Sequence, residues 1–142
     1  MPRPRAEKTE PELKASLLDW DGRVAAAHAG VAALRGQFLD QFTADLARLK
    51  TMFADGGAES ARTGWEPIHR LAHDLKGQGE VFGFAIISMI AASLHAYLGR
   101  TAPGVDGIKT HIAALSEVIE LNLTGDGGDQ GRKILERLAN ST

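Results

Sequence analysis

The chain has 142 residues, 44% hydrophobic and 24% charged, with 16 Lys and Arg against 18 Asp and Glu for a formal net charge of −2. That is the balance of an ordinary globular domain, able to bury about two-thirds of its unfolded surface. It has no cysteine, which excludes disulfide frameworks, thiolate metal sites and thiol nucleophiles, and its near-neutral charge gives no general reason to bind nucleic acid or an anionic membrane. The longest apolar run, Val81 to Ala92, is interrupted by Gly83 and Ser88 and falls short of the roughly 20 residues a membrane helix needs. The start, MPRPRAEKTE, has no following apolar stretch of signal-peptide type. The expectation is one cytoplasmic domain.

In chain order, Pro2, Pro4 and Pro11 among charged neighbours mark residues 1–11 as a flexible tail, with Arg3 and Arg5 part of an untethered terminus. Residues 12–142 read as a single helical domain. Glu12 to Trp20 is expected to form a short helix entered through Pro11. From Gly22 to Phe53 the apolar positions Val24, Ala27, Val31, Leu34, Phe38, Phe42, Leu46, Leu49 and Phe53 recur in steps of three and four, predicting one long amphipathic helix or two that nearly join. Asp55-Gly56-Gly57 ends it. A second helix is expected from near Gly64, with Thr63 and Glu66 spaced as a capping box and Pro67 in the first turn. Its core stripe is Ile68, Leu71, Leu75 and Phe82, and its stop is Gly83. A third runs from Phe84 to Leu98 on Ile86, Ile87, Ile90, Leu94 and Leu98. A fourth, from Pro103 to Leu123, uses Ile108, Ile112, Leu115, Ile119 and Leu123. The GDGGDQG turn follows, then a short helix with Ile134, Leu135 and Leu138. No stretch alternates as a strand would. Short connections imply antiparallel neighbours, hence an all-α, up-down four-helix bundle with short additional N- and C-terminal helices.

The segment Ile68-His69-Arg70-Leu71-Ala72-His73-Asp74-Leu75-Lys76-Gly77-Gln78-Gly79 carries the chemistry. At about 100° per residue, His73 lies roughly 140–160° from Ile68, Leu71 and Leu75 and points to solvent. Lys76 is one turn on and about 60° round. Gly77 is about 40° round, which leaves the surface beyond the imidazole without a side chain. Glycine inside a helix costs about 1 kcal/mol relative to alanine. Two of them beside an exposed histidine read either as room for a large visitor or as a fraying helix end. A neutral imidazole is a competent nucleophile whose nitrogen can carry a phosphoryl group, and a lysine one turn away would offset charge on the phosphoryl oxygens.

On these residues a resemblance becomes specific. AHDLKGQGEVFG resembles the signature of histidine-containing phosphotransfer (HPt) domains, H-x-x-K-G-x-x-x-x-x-G, at His73, Lys76, Gly77 and Gly83. IHRLAHDLKGQGEVFGF is also similar to the phosphotransfer module at the start of bacterial chemotaxis kinases. The resemblance covers residues 22–123 and implies a four-helix bundle in which His73 accepts a phosphoryl group from a receiver aspartyl phosphate and passes it to another receiver. It implies that Lys76 pairs with the phosphoryl oxygens, that Gly77 and Gly79 leave room for docking, and that Gly83 ends the helix. The chain would be a covalent carrier without kinase activity of its own, a monomer with no intrinsic cofactor. Its partners would be the receiver domains of response regulators and of a hybrid histidine kinase, and magnesium would belong to the receiver. Two features depart from the family pattern. Gln78 and Glu80 stand where small residues are common, with Glu80 about 20° from His73, placed either to select among partners or to repel the phosphoryl group. His95 stands where a glutamate is frequent. The alternative is a helical module that docks receivers or kinases without being phosphorylated.

Weaker candidates surround this one. His69 and His73, four apart, share a face that could bind zinc, but no third ligand is evident, and His69 reads better as part of the docking surface. His95 reads first as an ordinary histidine, though the neighbouring helix could bring it near His73. His28 and His111 read as ordinary solvated or capped histidines. Phe38, Phe42 and Phe53 read as core; Phe82 and Phe84 straddle the helix end, with an exposed docking contact at one of them as the lesser alternative. GDGGDQG lacks the carboxylate pattern of a calcium loop.

Overall fold

The computed structural model describes residues 9–53, 65–100 and 103–141, the side chains of 14–18 and 141 excepted. All regular structure among them is helical: α1 (Glu10–Met52), α2 (Glu66–Val81), α3 (Ala85–Leu98), α4 (Val105–Glu120) and α5 (Gly128–Ser141). The chain divides into two compact units, one up to Gly36 and one from Gln37 onward. The short helix expected over 12–20 is continuous with the long one that follows, and Gly22 does not interrupt α1. The Glu12 side chain reaches back over the first turn, its Oε2 accepting from the Thr9 backbone N–H at 3.0 Å, and the helix starts at Glu10, before Pro11 rather than after it. The box expected at Thr63 and Glu66 rests on a residue outside the described ones. Thr63, Gly64 and the Asp55–Gly57 stop lie outside the described residues, as do 1–8 of the expected tail. The residue that caps α2 is Trp65, in the left-handed conformation at φ 60°, and Glu66 instead reaches Arg70 at 3.2 Å.

In the second unit the C-terminal part of α1 buries Phe38, Phe42, Leu46 and Leu49, and Phe53 follows just past its end, against one hydrophobic core shared with α2 to α5. The inward face of α2 is Ile68, Ala72, Leu75 and Gly79; Leu71 and Phe82 are only half-buried. The expected stripe is therefore rotated toward the small residues, which permit the closest helix approach. In α3 all five expected core positions are buried, and in α4 Ile108, Ile112 and Leu115 are.

The α2–α3 turn is a Schellman motif. Phe84 N–H donates to the Gly79 carbonyl at 2.8 Å and Gly83 N–H to that of Glu80 at 3.1 Å, with Gly83 at φ 88°, a conformation that glycine alone adopts without a Cβ penalty. The helices then run antiparallel: Gly79 lies against Ser88, and one and a half turns earlier His73 lies against His95. Helix α4 returns along α3, with Ser93 bonded to His111 at 2.8 Å. Only the first half of GDGGDQG is the expected turn, since Gly128 to Gly131 already belong to α5; the turn clips the α2–α3 corner, Gly125 N–H donating to Gly83 O and Ile86 N–H to Gly125 O, both at 2.8 Å.

Candidate functional site

The exposed face of α2 opposite Ile68, Ala72 and Leu75 carries His73, whose side chain is 76% exposed. Its Nδ1 stands 3.7 Å from Asp74 Oδ1, too long for a hydrogen bond but close enough to bias where the imidazole proton sits. Lys76 is exposed one turn on. At Gly77 a Cβ would meet nothing within 4 Å, so the surface beside the imidazole is open, as expected.

Gly79 is different. It is buried, and a Cβ there would stand 2.6 Å from Ser88 Oγ and 2.8 Å from Ser88 N. Its expected role as docking clearance is corrected: this glycine lets α3 approach α2. Ser88 uses that proximity, accepting from Glu80 N–H at 2.7 Å and donating to the Leu75 carbonyl at 3.3 Å. The end of the helix bearing His73 is thereby pinned, while the Glu80 side chain stays on the exposed face.

His95, half-buried on α3, is brought to the site. Its ring lies 6.1 Å from His73, tilted by 56°, and 5.9 Å from His69, edge to face at 88°. His69, His73 and His95 therefore form a histidine cluster on the α2–α3 face. Among the described residues no group of three or more His, Asp or Glu is placed to hold a metal ion.

Two other expectations are corrected. Neither Phe82 nor Phe84 is an exposed contact: Phe84 is buried, Phe82 is half-buried, and both stack on Phe38, with centroids at 5.8 and 4.9 Å. The large exposed apolar side chain at this end of α2 is Val81, at 78%. It lies one turn from Gly77 and was detectable as the apolar residue that fits no core stripe. His111 is fully buried, not solvated. Its Nδ1–H donates to the Gly107 carbonyl at 2.6 Å, and Nε2 is 2.8 Å from Ser93 Oγ. Burial holds its pKa below the ordinary 6.5, with Arg100 adding to the effect and the Gly107 bond opposing it. His28 is exposed on α1, as expected.

Searches of curated proteins and of solved structures return no significant match. No described helix is long and apolar enough to cross a membrane. The sequence does match the Hpt domain family over residues 33–139, well over half of the chain. Hpt domains are phosphocarrier modules of two-component signalling rather than kinases, and they interact with receiver domains of phosphorelay proteins. A helical bundle that exposes His73 beside Lys76 and a bare Gly77, within a matching stretch of this extent, makes the chain a member of the Hpt domain family.

Proposed function

We propose that His73 is the phosphoacceptor of a phosphorelay carrier, taking a phosphoryl group from an aspartyl phosphate on one receiver domain and delivering it to the aspartate of another. The observation that supports this most is the exposure of His73 next to the open surface at Gly77, which lets a partner bring its acidic pocket and magnesium to the ring. The Asp74 carboxylate near Nδ1 favours the proton there, leaving the Nε2 lone pair as nucleophile. In the forward step Nε2 attacks phosphorus, the P–N bond forms, the acyl P–O bond breaks, and the receiver leaves with a free carboxylate. The reverse step runs through the same atoms. Lys76 balances charge on the phosphoryl oxygens, while His69, Glu80 and Val81 border the docking surface and select among partners. The carrier lacks most of the catalytic groups and works only in complex with a receiver.

The test is incubation with a phosphorylated receiver. The chain acquires an acid-labile, base-stable phosphate, and His73→Gln does not. Transfer that persists in this variant overturns the assignment; receiver binding with no phosphate on either protein favours the docking-only module.

A further inference from the structure

The N-terminal part of α1 has a pattern that the phosphocarrier role does not use. Leu13, Trp20, Ala27 and Leu34 are spaced by sevens, and Leu17, Val24, Val31 and Phe38 form a second series of sevens, each four residues after a member of the first. Two interleaved apolar series of this kind repeat every 3.5 residues on average, the seam of a coiled coil. Beyond Phe38 the spacing changes: Phe42, Leu46, Leu49 and Phe53 follow at four, four, three and four, a wider repeat suited to packing on the bundle core. The seam residues Leu13, Trp20, Val31 and Leu34 are exposed by 50% to 63%.

Three further observations bear on what covers this seam. The family match begins only at residue 33, so nearly all of the seam precedes it. Gly22, Gly30 and Gly36 lie in this stretch of α1, and a Cβ on any of them would meet nothing within 4 Å. Each costs the helix about 1 kcal/mol with no packing contact inside the chain to require it, and helices in proteins draw most of their stability from burying an apolar face. Finally, residues 9–36 carry Lys14, Arg23 and Arg35 against Glu10, Glu12, Asp19 and Asp21, a balance that permits like segments to associate.

We propose that residues 13–34 form a two-stranded coiled coil with the same segment of a second copy of this chain, making the phosphocarrier a homodimer and revising the expected monomer. The occupant is another helix because only a helix of matching repeat covers a 3.5-residue seam along its length. It is a second copy because the seam is itself such a helix, whereas the apolar faces of α2 to α5 are already committed to the core.

The test uses the full-length chain in sedimentation equilibrium and light scattering. The unmodified protein has twice the chain mass at tens of micromolar. Val31→Asp, which puts a charge in the seam, converts it to a monomer. Ala32→Asp, one residue along and off the seam, leaves the dimer intact, and both variants retain the circular-dichroism signal of the bundle. A wild-type chain that stays monomeric into the hundreds of micromolar overturns the proposal. So does a dimer that survives Val31→Asp, or one that both substitutions dissolve equally.

Discussion

Gly77 and Gly79 are two residues apart on α2 and face opposite environments, so substitutions separate docking from packing. Gly77→Ala meets open space and stabilises the helix by up to about 1 kcal/mol. Gly79→Ala drives a methyl into the Ser88 backbone and destabilises by about 1–3 kcal/mol. Urea unfolding of the pair checks the opposite signs; equal effects would mean that α3 yields freely. Gly77→Trp folds but blocks phosphotransfer, and a normal transfer rate in that variant would remove the argument from open surface. Lys76→Ala slows transfer roughly fivefold, the effect of losing about 1 kcal/mol of exposed charge contact, while the final phosphate per chain is unchanged. An unaltered rate would leave Lys76 without a role. The orientation of His73 was legible from residue spacing alone, because an error of one position in the core stripe still leaves it facing out. The burial of Gly79 was not. Leu71 and Phe82 dominate a hydropathy reading of α2, yet Ala72 and Gly79 take the innermost places because their small size lets the neighbouring helix close in.

Between elements, the contact with the most specific chemistry is His111, which ties α4 to α3 through Ser93 and stacks on Tyr97 with centroids 5.5 Å apart. Its sequence signal existed: Ile108, His111, Ile112 and Leu115 fall at i, i+3, i+4 and i+7, the core face of a helix. Reading it as solvated followed residue type in preference to position. Burial has a consequence for stability. Above pH 6.5 the ring is neutral in both folded and unfolded chains. As pH falls below that value, the unfolded chain takes up a proton that the folded one, its pKa lowered by burial, does not. Stability therefore declines until the pH passes the folded pKa, then levels off, by about 1.4 kcal/mol for each unit of lowering. The denaturant midpoint measured downward from neutral pH shows this loss in the wild type. His111→Gln, which keeps an amide to reach Gly107, loses this component. A variant as pH-sensitive as the wild type would assign the effect to other groups.

At the scale of the whole molecule, the bundle was readable because its apolar stripes are long and its turns rich in glycine, whereas the division at Gly36 was not. Steps of three and four run unbroken from Val24 to Phe53, and only their average, near 3.5 before Phe38 and wider after it, distinguishes a seam for another helix from a face for the core. The two compact units predict that disturbing one spares the other. In hydrogen exchange followed by mass spectrometry, Val31→Asp removes protection from residues 10–36, because a helix with three glycines and no partner opens readily. The amides of α2, α3 and α4 keep their wild-type protection, since their hydrogen bonds and the core around Phe42, Ile90 and Leu115 contain none of the exposed seam residues, and Phe38, where the seam meets the bundle, is held by that core. His73 in that variant still accepts one phosphoryl group per chain. Protection lost across α2 to α4 as well would mean that the seam and the bundle fold as one cooperative body, and dimer formation would then be a condition of phosphotransfer rather than an addition to it.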